Sequence, residues 1–370
     1  MIKLQELLDI DLAHMSANLD DEFSQLSGKK LLITGGAGFL GYYLVQSVLY
    51  WNKDQKTGDR IHVTVYDNYV RGVPAWLTSL KRIKELTLVK HNIIERLSDE
   101  MPDFAYIIHA ASIASPIYYR KYPIETMEAN VKGLWSLLEY SRMQNEKGKN
   151  VEGFLFFSSS EIYGDPPPDK IPTKEDYRGF VSCTGPRACY DESKRFGETL
   201  CVNFAQQHNL PIKIARPFNN YGPGLKITDR RVLPDFARDV IYNRDIVMFS
   251  DGAPTRTFCY SADAIIGYYK VLVKGWTGES YNIGVETPEI SILTLAEKTV
   301  STAKELFGYS GKVIRKTNTE RDYLVDSPNR RCPNIKKARE NLGYNPTILI
   351  DEGLKRSLIW YHHNRKAEEA

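Results

Sequence analysis

Tyr190 and Lys194 form a Y-x-x-x-K pattern within the segment CYDESKRFGETL. The hydrophobic periodicity of that segment predicts a helix, so the two side chains would lie one turn apart on the same face. A lysine ammonium beside a phenol favours the phenolate, and we therefore expect the pKa of Tyr190 to be lowered toward neutrality. Such a tyrosine could take a proton from an alcohol. The spacing alone is not specific, because Tyr and Lys four residues apart are common on solvated helices.

A second group of reactive side chains precedes this helix. The run GFLFF predicts a strand and is followed, after one serine, by Ser159, Ser160 and Glu161. In a parallel sheet, ligand chemistry gathers at the carboxyl ends of the strands. We therefore expect these two hydroxyls and one carboxyl group to lie at the same edge as Tyr190.

The segment TGGAGFLG follows the first predicted strand directly and opens a helix. Its pattern Gly36-x-Gly38-x-x-Gly41 permits a tight turn and a close approach of the backbone, so a pyrophosphate can lie against N–H groups at the helix N-terminus. A dinucleotide is the ligand that this arrangement fits. The residues expected to contact it here are Gly35, Gly36, Gly38, Phe39, Leu40 and Gly41.

The next predicted strand, HVTVYDN, ends at Asp67 and Asn68. A carboxylate at that position accepts hydrogen bonds from an adenosine ribose diol and would repel a 2′-phosphate, which favours NAD over NADP. The alternative is that Arg71, four residues on, holds that phosphate. With NAD bound, the positive nicotinamide ring would add to the effect of Lys194 on Tyr190.

The elements that must position these residues are short apolar runs that alternate with longer helical stretches, a pattern that predicts βαβ units and a parallel sheet. The strand runs are KLLITGG, HVTVYDN, LTLVKHN, AYIIHAA, GFLFFSS and IKIARPF. From Pro217 the regularity breaks, because PFNNYGPGLKITDRR and SDGAPTRTFCY are rich in turn-forming residues. The predicted fold is an α/β Rossmann-type doubly wound parallel sheet with a smaller discontinuous C-terminal α/β substrate lobe.

The start of the chain predicts an amphipathic helix lying ahead of this fold, which could cover a groove or contact a partner chain. The leucines at helical spacing are Leu4, Leu7, Leu8 and Leu12. The expected division is a helical extension at 1–27, an NAD-binding Rossmann domain at 28–216 that also receives about 257–284, and a substrate-binding lobe at 217–256 and 285–365.

The composition excludes several classes of function. The 49 Lys and Arg against 46 Asp and Glu give a formal charge of +3, which supports neither a nucleic-acid surface nor a polybasic membrane anchor. We expect no signal peptide and no membrane helix, since no stretch approaches roughly 20 apolar residues. Five cysteines without a C-x-x-C pair favour reduced thiols and a cytoplasmic location, and no metal site is expected.

Taken together, the motifs resemble the extended short-chain dehydrogenase/reductase family that modifies nucleotide sugars, over nearly all of the chain from residue 28 to about 360. The motifs are the glycine pattern, the strand-end Asp67, HAAS (109–112), SSSEIYGDP, Y-x-x-x-K and RPFNNYGPG. Within the family, GPRACYDESKR, GAPTRTFCYSAD and DSPNRRCPNIKKARENLGYNP resemble UDP-glucuronate decarboxylases most closely.

The resemblance implies a role for each matching residue. Tyr190 would be the base, Lys194 its ribose-bound helper, Ser159 or Ser160 a partner of the substrate's 4-hydroxyl, and Glu161 an acid/base near C5. The further cofactor contacts implied are Asn92, Ile93, Ala110, Ala111 and Ser112. The substrate contacts implied are Ser115, Asn219, Arg231, Arg256 and Arg330, with Arg331 as an alternative to Arg330.

The reaction that the resemblance implies begins with oxidation of C4 of a hexuronate. The resulting ketone is β to the C5 carboxylate, so carbon dioxide can leave, and return of the hydride gives UDP-xylose unless the 4-keto form is released. The alternatives are a 4,6-dehydratase or a 4-epimerase of the same family, and a non-catalytic sensor of nucleotide sugar or NAD. Family members often dimerise through two long helices, here near 123–142 and 185–208, so a homodimer is expected.

One departure bears on the substrate. In the segment Tyr122–Thr126 the family's decarboxylases carry a lysine where this chain has Glu125. If that position faces a sugar carboxylate, Glu125 would repel it. Glu125 is otherwise a solvated acid in the first turn of a helix, where the helix dipole favours it.

Overall fold

The computed structural model describes residues 3–316, 325 and 327–369, the last four of these by their backbone only. The strands are β1 (Lys30–Thr34), β2 (His62–Asp67), β3 (Leu86–Lys90), β4 (Tyr106–His109), β5 (Gly153–Phe157), β6 (Ile212–Pro217), β7 (Asn220–Tyr221), β8 (Ile246–Met248), β9 (Thr255–Arg256), β10 (Cys259–Tyr260), β11 (Ser280–Ile283), β12 (Ile290–Ser291), β13 (Val313–Arg315) and β14 (Arg330–Arg331).

The α-helices are α1 (Leu4–Leu26), α2 (Gly41–Trp51), α3 (Ala75–Ser79), α4 (Pro116–Lys121), α5 (Pro123–Met127), α6 (Leu134–Glu146), α7 (Ala188–His208), α8 (Val232–Ile241), α9 (Ser261–Lys274), α10 (Ile292–Phe307), α11 (Lys336–Leu342) and α12 (Ile350–Glu369). A π-helical segment, Glu128–Gly133, joins α5 to α6, and 3-10 turns occupy Asn52–Asp54, Thr57–Asp59, Ser160–Tyr163 and Pro168–Lys170.

The main sheet is parallel, with the strand order β11-β6-β5-β4-β1-β2-β3. Alternate residues of a strand point to opposite faces, and here both faces are covered. Leu31 and Ile33 of β1 belong to one apolar cluster, whereas Leu32 belongs to the other. Burial on both faces explains why the strands read as continuous apolar runs rather than as alternating ones. The predicted doubly wound fold is confirmed, and all six predicted runs contain strands of this sheet.

Helix α1 is part of the main core rather than a segment ahead of it, so that expectation was wrong. It packs on α2, α9 and α12. Its side chains Met15, Leu19 and Phe23 are completely buried, and the Phe23 ring lies edge-on to Tyr269 of α9 at 4.9 Å. Helix α1 therefore packs on helices that themselves cover the main sheet.

Buried charged residues, in addition to apolar contacts, hold α1 in place. Asp11 is fully buried and accepts hydrogen bonds from the hydroxyls of Tyr43 (2.5 Å) and Tyr260 (2.6 Å), and it pairs with Arg356 of α12 at 2.5 Å. Burial raises the pKa of Asp11, and the three partners offset part of this shift. Near the other end of the helix, the buried Glu22 pairs with two lysines of α9.

The chain after Pro217 forms short pairings around the carboxyl end of the main sheet. These are the two-stranded sheets β10-β7 and β13-β8 and the three-stranded sheet β12-β9-β14. Strand β14 returns late in the chain and pairs with β9 in parallel, which brings Arg331 opposite Arg256. None of the described helices combines the length and the hydrophobicity that crossing a membrane requires.

Replacing Asp11 by alanine is expected to lower the free energy of unfolding by about 3 kcal/mol, because Arg356 then loses its buried anion and two tyrosine hydroxyls lose their acceptor. Urea titration followed by circular dichroism measures this. Asp9→Ala is the matched control, since Asp9 is exposed on the same helix; it should change the free energy by at most about 0.5 kcal/mol. Equal effects of the two variants would contradict the anchoring role of Asp11.

Candidate active site

The glycine turn between β1 and α2 has no room for side chains. Gly35 has a φ of +73° and donates its N–H to the carbonyl oxygen of Tyr66 at 2.8 Å. A Cβ on Gly36 would lie 2.7 Å from the Val65 side chain, and one on Gly41 would overlap the Gly36 carbonyl. These contacts hold the N-terminus of α2 tightly against the sheet, where its first N–H groups have no intrahelical acceptor.

Asp67 at the end of β2 closes this turn. Its carboxylate accepts hydrogen bonds from the backbone N–H of Ala37 at 3.0 Å and of Tyr69 at 2.8 Å. Burial raises the pKa of Asp67, and the two N–H donors oppose that shift. Arg71 pairs with Asp229 at 3.1 Å, so its guanidinium is engaged by a carboxylate of the later part of the chain.

The end of β4 lies on the other side of the glycine turn. The ring of His109 is bonded to the hydroxyl of Thr34 at 2.8 Å, and burial lowers the pKa of His109 to about 3, so the imidazole is neutral. Ala110 donates its N–H to the carbonyl oxygen of Thr34, and Ala111 lies against Gly35. The hydroxyl of Ser112 is buried and has no partner among the described residues.

The remaining predicted cofactor residues lie around the same opening. The Asn68 side chain accepts the N–H of Val70, Asn92 is half-buried after β3, and Ile93 packs against Gly133 of the π-helical segment. A tight glycine cradle, a carboxylate where a ribose diol would lie and an unpartnered buried hydroxyl together fit a dinucleotide such as NAD.

Tyr190 and Lys194 lie one turn apart on α7, as predicted, but their electrostatics differ from the prediction. The lysine ammonium donates to the carbonyl oxygen of Phe157 at 2.7 Å and lies 5.8 Å from the centre of the Tyr190 ring. Burial raises the pKa of Tyr190 to about 12, although a hydrogen bond with Ser159 opposes this, and burial lowers the pKa of Lys194 to about 7. In the protein alone the lysine therefore does not lower the pKa of Tyr190.

Glu161 follows β5 in the 3-10 turn Ser160–Tyr163, and two guanidinium groups grip it. Arg187 from the turn before α7 and Arg331 from β14 each pair with one of its carboxylate oxygens. Burial opposes ionisation of Glu161, but the two arginines outweigh it and hold its pKa at about 2. Glu161 is therefore a carboxylate.

The two predicted serines support this arrangement. The hydroxyl of Ser159 accepts the N–H of Glu161 at 3.2 Å, and the hydroxyl of Ser160 accepts from Arg331 at 3.2 Å. Arg256 lies nearby and donates to the carbonyl oxygens of Pro328 at 2.5 Å and Asn329 at 3.1 Å. Burial lowers the pKa of Arg256 to about 10, with Arg331 adding to the shift. Excess positive charge is thus concentrated at the end of β5.

The other predicted substrate residues lie in two places. Ser115 donates its hydroxyl to the carbonyl oxygen of Asp229 at 2.8 Å, and Arg231 pairs with the Asp229 carboxylate at 3.1 Å, so these three lie together. Asn219, with a φ of +42°, donates its side-chain amide to Thr257.

Arg330 does not join the Glu161 cluster. It forms a two-pronged pair with Glu289, at 2.9 and 2.7 Å, whereas its neighbour Arg331 reaches Glu161. Along β14 successive side chains point to opposite faces, so only one of the two arginines can enter the site.

Two charged residues of the site, Arg187 and Asp191, received no role from the sequence, and Arg331 was named as an alternative to Arg330. Arg187 and Asp191 flank Tyr190 within the GPRACYDESKR motif, and their position one turn apart on the same helix face was the available signal. Arg331 was only weighed against Arg330, because nothing local shows which residue of that pair faces inward.

A buried polar network holds α7 against the sheet at this point. Glu198, one turn after Lys194, receives two hydrogen bonds from Arg216 of β6, at 2.8 and 2.6 Å, and one from Ser158 at 2.5 Å. Arg216 also donates to the hydroxyl of Tyr163, and that hydroxyl donates to Asn282 of β11. The network therefore fixes the face of α7 that carries Tyr190 relative to the Ser159–Glu161 turn.

The chain matches known proteins over most of its length. Residues 31–284 match the family model described as the NAD dependent epimerase/dehydratase family. UDP-glucuronic acid decarboxylase 6 of Arabidopsis thaliana is 35% identical over 328 residues, covering 89% of this chain and 87% of that protein. UDP-glucuronic acid decarboxylase 1 of Xenopus tropicalis is 32% identical over 350 residues, covering 94% of this chain and 74% of that protein.

A solved structure agrees with the sequence relatives. An epimerase from Methanothermobacter thermautotrophicus superposes with a TM-score of 0.78 and 27% identity, covering 96% of this chain and 98% of that one. The glycine cradle, the Tyr190–Lys194 helix and these matches agree, and the chain therefore belongs to the NAD dependent epimerase/dehydratase family.

Proposed function

We propose that this protein is an NAD-dependent nucleotide-sugar decarboxylase that converts UDP-glucuronate to UDP-xylose or its 4-keto form. One observation carries the proposal: the Glu161 carboxylate lies between Arg187 and Arg331, with Arg256 close by. Glu161 carries one negative charge against the positive charges of three arginines, so net positive charge remains to bind an anionic sugar. The curated relatives above are named for the same activity.

Tyr190 is the group that takes the proton of the C4 hydroxyl, and Ser159 is bonded to it and can orient the same hydroxyl. NAD, when bound, accepts the hydride from C4 and later returns it, and its positive ring favours the Tyr190 phenolate. Lys194 is buried 5.8 Å from the Tyr190 ring and would be the residue that holds a ribose hydroxyl of the cofactor. The cofactor contacts named above, from Gly35 to Ser112, orient the dinucleotide beside this tyrosine.

The C4 ketone makes the C5 carboxylate a leaving group. As the bond between C5 and the carboxyl carbon breaks, carbon dioxide departs and the electron pair forms an enolate across C4 and C5. The arginines beside Glu161 can hold the substrate carboxylate in place, and Glu161 can act as the acid/base near C5. The enolate then takes a proton at C5 from water, relayed by Glu161 as the acid/base, and Tyr190 returns its proton to the C4 oxygen when the hydride returns.

Glu125 is compatible with an anionic sugar as the substrate. It is exposed in the first turn of α5, which supports its interpretation as a solvated acid there.

Ser115, Asn219 and Arg231 are proposed to contact the sugar diphosphate. For the division of the chain, the pairing of β11 with β6 supports assigning about 257–284 to the NAD-binding domain.

We further propose a cytoplasmic homodimer. All five cysteines are free thiols, which suits a reducing compartment. An apolar face runs over α5, α6 and α7, two of which are linked by the contact of the Trp135 and Phe204 rings at 5.8 Å. Its exposed side chains are Ile124, Met127, Trp135, Met143 and Phe196. An apolar face of this kind is typical of a self-complementary interface.

Incubation with UDP-glucuronate and NAD⁺ is expected to release carbon dioxide and a UDP-pentose, detected by manometry and mass spectrometry. Tyr190→Phe should lower kcat by roughly 10³-fold and keep NAD binding, because only proton transfer is lost. Tyr140→Phe on α6 is the control and should keep full activity. No turnover of UDP-glucuronate by the wild type would refute the decarboxylase, and a 4-keto-6-deoxy product from an NDP-hexose panel would establish a dehydratase instead.

Asp67→Asn is expected to weaken NAD binding about tenfold and to narrow the preference for NAD over NADP, because a neutral amide no longer repels a 2′-phosphate. Fluorescence titration with both reduced cofactors measures the ratio. Arg71→Ala should leave the ratio unchanged, since Arg71 is engaged by Asp229. A preference for NADP that disappears in Arg71→Ala would show that Arg71 is the specificity residue.

Trp135→Glu is expected to convert the dimer to monomers, because a carboxylate would be buried at the centre of the apolar face. Sedimentation velocity measures the mass. The matched control is Trp276→Glu, because Trp276 is exposed at 60% on a different part of the surface. A wild-type protein that sediments as a monomer would contradict the homodimer.

A further inference from the structure

Asp191 is a buried acid for which the proposed reaction has no use. The residue is 6% exposed, and it follows Tyr190 directly on α7. One of its oxygens, Oδ2, lies 3.5 Å from Nε of Arg187, one turn earlier. The other, Oδ1, is buried without a hydrogen-bond partner among the described residues. A buried acceptor without a donor is costly, so this arrangement calls for a function.

Arg187 stands between two carboxyl groups. Its Nη2 atom binds Glu161, whereas its Nε atom is buried and has no well-formed hydrogen bond in the described structure, despite the nearby Asp191. A guanidinium can satisfy two acids at once only if both match its planar fork. Here the contact with Glu161 is close, whereas Nε of Arg187 lies 3.5 Å from Asp191.

The surroundings hold the two acids in different protonation states. Burial, with the charge of Glu161, raises the pKa of Asp191 to about 7, whereas Arg187 and Arg331 hold the pKa of Glu161 at about 2. The charged and titratable groups that face Asp191 are Glu161, Arg187, Arg331, Tyr119, Tyr190 and Cys189. Paired acids whose environments separate their protonation states are typical of proton-handling sites.

We propose that Asp191 is a positioning residue that competes with Glu161 for the Arg187 guanidinium and so controls how firmly Glu161 is held as a carboxylate beside the sugar. While Arg187 grips Glu161, that carboxylate is a poor base. When Arg187 turns to Asp191, Asp191 gives up its proton, and Glu161, then held by Arg331 without Arg187, becomes a stronger base that can accept one. One proton leaves Asp191 and one is gained by Glu161, so the charge of the three groups together is unchanged. The inference rests on the proposed role of Glu161 in the reaction.

The competition can be tested without turnover. In protein labelled with ¹³C at the aspartate carboxyl carbons, Asp191 is assigned by loss of its signal in Asp191→Asn and is titrated between pH 5 and 9. Glu161→Gln should lower the pKa of Asp191 by about one unit or more, because it removes a like charge and releases Arg187. The shift should shrink in an Arg187→Met background, where the loss of a like charge acts alone. An Asp191 that titrates identically with and without Glu161→Gln, or that shifts as much in Arg187→Met, would overturn the proposal.

Kinetics give the second test. Asp191→Asn should lower kcat for UDP-glucuronate roughly tenfold with little change in KM, because the groups that bind the ground state remain. Asp191→Glu, which keeps a carboxyl group, should restore most of the activity. The control is Asp239→Asn. Asp239 is a similarly buried aspartate of α8 that pairs with Arg244, and its replacement should leave kcat unchanged.

The outcomes of the two tests separate the two proposals. A rise in KM with unchanged kcat in Asp191→Asn, or no recovery in Asp191→Glu, would show that Asp191 serves only binding or folding. A wild type that does not act on UDP-glucuronate would refute the proposed function, and the ¹³C titration would still decide whether Asp191 and Glu161 compete for Arg187.

Discussion

A partly buried carboxylate stays ionised when positive charge reaches it, and Glu161 is the place where this requirement shapes the molecule. The charge comes from Arg187, at the start of α7, and from Arg331, in β14 near the other end of the chain. The loop before α7 and the small sheet β12-β9-β14 must therefore both close over the carboxyl end of β5. The way in which the later part of the chain wraps over the main sheet follows from this ion cluster.

The support behind the cluster is polar as well. The Arg216–Glu198 pair and the hydroxyls of Ser158 and Tyr163 form hydrogen bonds with one another beneath the reactive side chains. A buried ion pair adds little stability over apolar packing, but it permits few alternative arrangements. Glu198 lies on the same helix as Tyr190 and Lys194, so the pairing with β6 sets the rotation of α7 about its axis. The distance from Tyr190 to the end of β5 is thereby fixed by rigid elements and not by loops.

The sequence predicts local features well and long-range pairings poorly. The glycine turn, Asp67 and the Tyr190–Lys194 spacing are readable, because each depends on neighbours within a strand, turn or helix. The sequence does not show that Arg331, and not Arg330, contacts Glu161, because this depends on which face of the sheet β12-β9-β14 each side chain occupies. The raised pKa of Tyr190 in the protein alone is not readable either, because it comes mainly from burial, which spacing does not reveal. The periodicity of α1 predicts a helix, but it does not show that Asp11 is buried, because its partners Tyr43, Tyr260 and Arg356 lie outside that helix.

The bond between Asp11 and Arg356 spans 345 residues of sequence. A chain emerging from the ribosome exposes α1 long before α12 exists, so Asp11 can bind Tyr43 early but lacks its arginine partner until synthesis is almost finished. The last contacts of α1 thus form after nearly all of the chain has been translated. The emerging helix, with its unpaired acids and its row of leucines, is a surface on which a molecular chaperone can act during that interval.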